Sequence, residues 1–525
     1  MSEIKNHWEE TRELVKSVDS KKIAHWLLES GYFPEQYIFP PSFRPQNFTL
    51  KDQPYHGIKT PRNIWDHDFK PKLTPTQILN IAYPKSELTD RIFGIYHPKP
   101  YHDLVWYIEK HWNQIVNHLF DRTQRIYSYS FPIPITSQQK GEIGPLRSGR
   151  MIYEYLELAE KDLLSESYKY KFLLKTDIKN FYPSIYTHSI SWGIHTKERI
   201  RNNNEHNLRL VGNILDRIAQ YGNDRKTNGI PIGPAISDLI TEIILSAVDK
   251  SISKILRQED LVAARYKDDY FFLLKNEHQA DSLLKHMQLC FKEFNLFINE
   301  EKTEMYSLPD GLFRPWILRF DKIWNALNID PNQPITFRNF YVIAQEVFSI
   351  DKEYPGTGLI NKFLAKLTDQ NNIYSLNIDF SKLKNKKQGV FRTYSILIHL
   401  SKRSKKSFPN SLGVLESIVR APDGLVSENI KSSLILEMKN LNKEILKSDD
   451  EHQKLWWVYF VLSNDSLKQK IDVKSFYTSE SVFLKSFNKG KQKFFTDFSD
   501  ANFFSKPEED LSYPIAKHLN IFNKE

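Results

Sequence analysis

The sequence predicts an α+β protein in which a small antiparallel sheet is followed by a helical C-terminal region. Three observations favour this fold class. The segment 261–274 holds two apolar runs on either side of Asp268 and Asp269, which is typical of a β-hairpin. In the segment 236–248, apolar residues recur with i, i+3, i+4 spacing, which indicates an amphipathic helix. After residue 320, segments with helical periodicity follow one another, which predicts an all-α C-terminal domain.

Asp268 and Asp269 are the most informative residues of the chain. An Asp-Asp pair is typical of a turn, so both carboxylates are predicted to lie at the tip of the hairpin. Adjacent carboxylates repel each other, and a hard divalent cation such as Mg²⁺ would neutralise them. Because such a pair is often only a turn, a metal site requires a further carboxylate in a matching context.

Asp177 provides that carboxylate. It ends an apolar run, and Pro183 and Ser184 then mark a turn, so Asp177 is predicted to lie at the end of a strand. A strand-end carboxylate beside a hairpin pair is the arrangement of a two-metal phosphoryl-transfer site, in which the ions lie ~3.5–4 Å apart. The pattern therefore predicts two Mg²⁺ ions held by Asp177, Asp268 and Asp269.

Four motifs, in this order, resemble those of reverse transcriptases. Asp177 is followed five residues later by Tyr182, and a Pro-x-Gly loop then precedes the amphipathic helix. Tyr-Lys-Asp-Asp at 266–269 and Asn-Glu-Glu-Lys-Thr at 299–303 complete the set. The resemblance covers about residues 100–320. It implies a right-hand polymerase with fingers and palm of the reverse-transcriptase type, which uses dNTPs and makes DNA.

The resemblance also implies roles for further residues. Tyr182 would block a 2′-hydroxyl and so select deoxynucleotides, whereas simple core packing is the competing interpretation. Arg147 and Arg150 would grip the incoming triphosphate, since a guanidinium donates two parallel hydrogen bonds to phosphate, although solvated loop charges are the alternative. Gly233 would let the backbone approach the nucleotide. Lys302 would protonate the pyrophosphate leaving group, although most exposed lysines have no such role.

Three segments resemble the bacterial abortive-infection (Abi-type), defence-associated reverse transcriptases. They are 31–43, 177–189 and the Ile-Pro-Ile-Gly-Pro-Ala phrase at 230–235. Members of that group act against phage, make DNA without a template, start it on a protein tyrosine and form closed homo-oligomers. The resemblance therefore implies a trimer or hexamer and a DNA product attached covalently to the chain. Tyr37, in a proline-flanked segment, is the candidate priming residue.

The chain departs from the common pattern in two places. Ile232 precedes Gly233 where most reverse transcriptases have Gln, and Lys267 stands where a small or apolar residue is usual. Two alternatives stay open. Related defence enzymes copy a small non-coding RNA, and a non-catalytic nucleic-acid-binding assembly protein would need only the fold.

Length and composition limit the number of domains and the kinds of partner. The 525 residues, 40% of them hydrophobic, suffice for two or three domains. We expect an N-terminal extension at 1–100, fingers and palm at 101–320, and the helical domain at 321–525. A net charge of +9 suits a polyanionic partner. The single cysteine, Cys290, fits a reducing cytoplasm, and no secretion signal or membrane span is expected.

Overall fold

The chain forms two compact units. The first comprises Met1–Glu35, Asn47–Asn80 and Gly94–Phe313, and the second comprises Gln36–Gln46, Ile81–Phe93 and Arg314–Glu525. Two pieces of the expected N-terminal extension therefore group with the C-terminal residues. The computed structural model describes residues 3–56, 73–86, 89–135, 141–144, 149–202, 210–256, 261–330, 333–368, 376–507 and 514–519.

The strands of the described residues form one five-stranded sheet and two strand pairs. They are β1 (Leu79–Pro84), β2 (Asp90–Ile95), β3 (Ile126–Ser128), β4 (Phe172–Asp177), β5 (Val262–Tyr266), β6 (Asp269–Leu274), β7 (Glu304–Ser307), β8 (Ile335–Thr336) and β9 (Ile378–Asp379). The order of the larger sheet is β3-β5-β6-β4-β7. Its β3–β5 pair is parallel, and the other three pairs are antiparallel.

Helices surround these strands in sequence. Those before residue 314 are α1 (Glu3–Ser17), α2 (Ser20–Glu29), α3 (Pro98–Lys110), α4 (Trp112–Leu119), α5 (Gly149–Ser167), α6 (Phe181–Ser184), α7 (His188–His195), α8 (Lys197–Asn202), α9 (Val211–Tyr221), α10 (Ala235–Leu256) and α11 (His278–Glu293). Those after it are α12 (Pro315–Ala326), α13 (Phe337–Glu353), α14 (Leu359–Thr368), α15 (Lys386–Arg403), α16 (Phe408–Arg420), α17 (Glu428–Lys447), α18 (Glu451–Leu462), α19 (Asp465–Lys468), α20 (Val482–Lys489) and α21 (Ile515–Leu519). Short 3₁₀ turns occur at Glu300–Lys302, Lys405–Ser407 and Lys474–Thr478. None of the helices in the described ranges is long and apolar enough to cross a bilayer.

The core of the first unit forms where the sequence pattern predicts it. β5 and β6 are the two arms of the expected hairpin, and their apolar side chains at Ala263, Phe272 and Leu273 are fully buried. α10 begins at Ala235, directly after the Pro-x-Gly loop. The apolar stripe of α10 is also buried, and the helix packs against β3, which places α10 beside the central sheet.

The second unit is mostly helical. Its core includes the adjacent residues Trp456 and Trp457 of α18, both fully buried, and α16, which packs against α14, α15, α18 and α21. Within 321–525 the described residues also contain one parallel strand pair, β8 with β9. Each of these strands has only two residues, too few to produce an alternating pattern that a sequence could show.

Candidate active site

The hairpin turn lies one residue earlier than the sequence indicated. Tyr266 pairs with Asp269, so the two-residue turn consists of Lys267 and Asp268. Only Asp268 is therefore in the turn, and Asp269 is the first residue of β6, which corrects the prediction that both carboxylates lie at the tip. Lys267 has a φ of 53°, a backbone conformation that two-residue hairpin turns require but that a lysine rarely adopts.

Two hydrogen bonds hold the backbone of Lys267 in this conformation. Its N–H donates to Ser130 Oγ at 2.5 Å, and its carbonyl oxygen accepts from Arg265 Nη1 at 3.0 Å. A strained backbone persists when surrounding contacts determine it. The position of the Asp268 carboxylate thus depends on residues outside the turn.

Arg265 is the centre of a buried polar network. Its guanidinium is fully buried and makes two hydrogen bonds to Glu242, at 2.8 and 3.0 Å, and one from Nε to Asp249 Oδ2 at 2.9 Å. Tyr270 donates to the other Asp249 oxygen at 3.0 Å. Although burial disfavours the charge, Asp249 and Glu242 hold the pKa of Arg265 well above its ordinary value. The network connects α10 to both arms of the hairpin.

Asp177 and Asp269 lie side by side across two strands. Asp177 is the last residue of β4, as predicted, and it pairs directly with Asp269 in the antiparallel register of β4 and β6. Directly opposed side chains have Cβ atoms about 4.5–5.5 Å apart, and like charges at such a position destabilise a sheet. The fold therefore concentrates negative charge at one end of the central strands.

Burial and this concentration of charge together raise the pKa values of two of the aspartates. Burial raises the pKa of Asp268, and the charge of Asp177 raises it further, while Lys267 and Lys302 oppose the rise. Asp269 is exposed, yet neighbouring residues partly desolvate its carboxylate. This desolvation, together with the charges of Asp268 and Asp177, raises the pKa of Asp269 to about 7. Perturbed carboxylates that perturb one another are common in functional sites.

Lys302 neutralises part of the charge. Its ammonium donates a hydrogen bond to Asp177 Oδ2, and this bond raises the pKa of Lys302, so the amine stays protonated at neutral pH. The lysine is mostly exposed, whereas Asp177 is only 3% exposed. The structure thus brings together four residues that the sequence singled out: Asp177, Asp268, Asp269 and Lys302.

The donor atoms suit a divalent cation. Asp177 Oδ1 is buried and has no hydrogen-bond partner among the described residues, so one oxygen of this carboxylate has unmet bonding capacity. Hard cations such as Mg²⁺ take carboxylate oxygens as ligands. As placed, the described side chains form no complete group of three or more His, Cys, Asp or Glu ligands, so a metal at this site is part of the proposal below.

Tyr182 and Gly233 lie on the segments that flank the carboxylates. The Tyr182 hydroxyl donates to Asp238 Oδ1 at 2.5 Å, and Asp238 belongs to the first turn of α10. Gly233 has a φ of 123°, a conformation that side chains larger than hydrogen rarely allow, so the loop requires glycine at this position. The role of each residue toward a nucleotide stays a prediction.

The roles predicted for Arg147, Arg150 and Tyr37 stay predictions. Arg147 lies outside the described residues, and Arg150 is placed only by its backbone, in the first turn of α5. Tyr37 is half-buried and belongs to the second compact unit, whereas the three aspartates belong to the first. The Tyr37 ring lies 5.5 Å from that of Tyr83.

The sequence contained signals for four residues of the site that were not predicted, namely Arg265, Glu242, Asp249 and Asp238. Arg265 interrupts an apolar strand, and Glu242 and Asp249 lie seven positions apart on α10, which places them on one face of the helix. A charged residue in a buried strand indicates a buried partner. Asp238 offered a weaker signal, because an acidic residue in the first turn of a helix is common.

One family model matches part of the chain. Residues 114–342 match the family model described as reverse transcriptase (RNA-dependent DNA polymerase). The chain contains a reverse-transcriptase-like domain. The match covers less than half of the chain, includes the positions of all three aspartates and of Lys302, and indicates a nucleotidyltransferase activity of the polymerase type.

The solved structures that align with the chain are distant from it. The apo telomerase of Candida tropicalis aligns with a TM-score of 0.33 and 12% identity over 75% of this chain and 69% of that chain. The telomerase of Candida albicans, solved with a TWJ fragment of telomeric RNA, aligns with a TM-score of 0.30 and 12% identity over 74% of this chain and 64% of that chain. Similarity at this level does not extend to substrates or partners. No curated protein matches the sequence.

Proposed function

We propose that this chain is a DNA polymerase of the reverse-transcriptase type that acts in antiphage defence in the cytoplasm. One observation carries the enzymatic part: the three aspartates on β4 and on the β5–β6 hairpin lie within the reverse-transcriptase-like domain. Asp177 and Asp268 would hold two Mg²⁺ ions, with Asp269 assisting. Bound there, the ions would supply the charge neutralisation that phosphoryl transfer requires.

The remaining residues of the site would position the nucleotide. Lys302, protonated beside Asp177, is the candidate proton donor to pyrophosphate. Gly233 would let the backbone approach the nucleotide, and Tyr182 would exclude a 2′-hydroxyl. Arg147 and Arg150 would grip the triphosphate. Catalysis of this kind consists mainly of positioning and charge stabilisation, which suits a site built on strand ends.

We also propose that the chain forms a closed homo-oligomer that synthesises DNA without a template and from a protein primer. This proposal is supported by the segments at 31–43, 177–189 and 230–235, which resemble those of abortive-infection enzymes. A closed ring uses a heterologous interface, in which two different surfaces of the subunit meet. Mass photometry of the full chain should then detect a trimer or hexamer, and a monomer alone at micromolar concentration would count against the ring.

The function is tested by purifying the protein and digesting any bound nucleic acid separately with DNase, RNase and protease. We expect DNA that forms from added dNTPs without a template and stays with the protein through denaturation. Synthesis that depends on a bound RNA would indicate an RNA-templated enzyme instead. If substitution of the active-site aspartates leaves incorporation unchanged, the incorporation does not come from this site, which would indicate a non-catalytic protein.

Tyr182→Ala is expected to increase the use of rNTPs relative to dNTPs. The reason is that removal of the ring opens space for a 2′-hydroxyl, while the carboxylates stay in place. The ratio of the two kcat/KM values, for nucleotides with the same base, measures the effect. An unchanged ratio would mean that Tyr182 only packs.

Tyr37→Phe is expected to remove the covalent link between DNA and protein while leaving extension of an added DNA primer intact. The substitution deletes only the hydroxyl that would act as the nucleophile. Mass spectrometry after nuclease digestion should find a nucleotide on Tyr37 of the wild type. Tyr168→Phe is the matched control, because Tyr168 is 79% exposed. Free DNA with a 5′-triphosphate from active enzyme would exclude priming by any side chain.

A further inference from the structure

Asp238 connects two of the motifs that form the candidate site. One of its carboxylate oxygens, Oδ1, accepts the hydrogen bond from the Tyr182 hydroxyl at 2.5 Å. The other, Oδ2, lies 3.9 Å from the Nζ of Lys267 in the hairpin turn. A single carboxylate therefore faces the segment after β4 on one side and the turn that carries Asp268 on the other.

The surroundings of Tyr182 and Asp238 determine which of the two is the hydrogen-bond donor. Burial, together with the negative charges of Asp238 and Asp268, raises the pKa of Tyr182 well above its ordinary value, so the phenol keeps its proton and donates a hydrogen bond to Asp238. The side chain of Asp238 is only 14% exposed, which limits competition from water. Hydrogen bonds to a charged acceptor are shorter and stronger than those between neutral groups.

We propose that Asp238 is a positioning residue that determines discrimination between deoxyribonucleoside and ribonucleoside triphosphates by fixing the hydroxyl end of Tyr182. The inference rests on the proposed polymerase function. The ring of Tyr182 then excludes a 2′-hydroxyl because the hydrogen bond fixes its position, and its volume alone is not the whole cause. Lys267, the residue at which the chain departs from related turns, contributes by attracting the same carboxylate.

The competing role for Asp238 is purely structural. An acidic side chain in the first turn of α10 interacts favourably with the helix dipole, and its removal would weaken the helix. A structural loss of this kind would lower stability and would affect both classes of nucleotide equally. The ratio of dNTP to rNTP use therefore separates the two roles.

The test is a double-mutant cycle on Tyr182 and Asp238. The ratio of kcat/KM for dATP to that for ATP is measured for the wild type, Tyr182→Phe, Asp238→Ala and the double variant. Each single substitution should lower the ratio about tenfold, the change expected from loss of one charge-assisted hydrogen bond, and the double variant should lower it no further. Asp238→Asn should keep most of the ratio, because its amide oxygen still accepts from Tyr182.

A control keeps the result interpretable. Asp281→Ala removes an exposed acidic residue from the first turn of α11 and should leave the ratio unchanged. An unchanged ratio in Asp238→Ala, or effects of the two single substitutions that multiply, would overturn the inference.

The outcome also separates this inference from the proposed function. If the wild type incorporates no nucleotide, the proposed function fails, and the relative affinities for dATP and ATP, measured by calorimetry in the same variants, decide the role of Asp238. Equal affinities in the wild type, or no binding of either nucleotide, would overturn the inference as well.

Discussion

Asp268→Asn is expected to abolish incorporation of dNTPs while leaving the fold intact. Asparagine has nearly the same shape as aspartate but lacks the negative charge that binds a divalent cation most strongly. Loss of one metal ligand removes several kcal/mol of barrier reduction, which corresponds to at least about 100-fold in rate. Incorporation of labelled dNTPs at saturating Mg²⁺ is the measurement, with Asp281→Asn as the control.

The stability of the same variant should change in the opposite direction. Burial and Asp177 raise the pKa of Asp268, so its ionised form is disfavoured in the folded state. Without a divalent ion, this unfavourable contribution grows as the pH rises above the ordinary carboxyl pKa of 3.8. At neutral pH, Asp268→Asn should therefore melt at the same temperature as the wild type or higher.

Mg²⁺ provides the complementary readout. A ligand that binds only the folded state raises its melting temperature, so Mg²⁺ should stabilise the wild type more than it stabilises Asp268→Asn. Undiminished incorporation by Asp268→Asn would exclude this residue from the reaction. Equal stabilisation of both proteins by Mg²⁺ would instead remove Asp268 from the metal site.

Arg265→Met is expected to cause the largest loss of stability of any single substitution considered for this chain. Methionine fills the space but leaves the carboxylates of Glu242 and Asp249 buried without their cation. Breaking a buried ion pair in this way costs about 3–5 kcal/mol. The free energy of unfolding in urea measures the loss, and Arg125→Met, at an exposed position, is the control.

A compensated variant tests the physical reason. Arg265→Met combined with Glu242→Gln and Asp249→Asn removes the unpaired charges and should recover part of the lost free energy. It should not recover activity, because the carbonyl of Lys267 still lacks the guanidinium that holds the turn. A loss below about 1 kcal/mol for Arg265→Met alone would show that the ion pair is dispensable, which is the known behaviour of exposed pairs.

The sequence was sufficient to predict the central elements because their patterns are local. The arms of the hairpin and the strand that ends at Asp177 are apolar runs of a few residues, and the apolar stripe of α10 recurs with helical periodicity. The turn could not be placed to the residue. The turn preference of aspartate favours a turn at Asp268 and Asp269. The contacts that Ser130 and Arg265 make with the backbone favour a turn at Lys267 and Asp268 instead.

Other features depend on contacts between residues far apart in sequence. The Arg265 network joins strand and helix residues, and Asp238 reaches Tyr182 across 56 positions. Likewise, the grouping of 36–46 and 81–93 with the C-terminal unit follows from packing that no local pattern encodes. Composition and periodicity therefore predicted which residues form elements, but not which distant side chains meet.

The position of β4 between β6 and β7 has a consequence for chain length. Successive residues of a strand point to opposite faces, so adding or deleting a single residue within Phe172–Asp177 would turn every following side chain over. Asp177 would then face away from Asp269. Individual side chains of β4 can be exchanged for others of similar shape, but the number of residues between the start of the strand and its carboxylate cannot change. The length of β4 therefore determines the face of the sheet on which Asp177 lies.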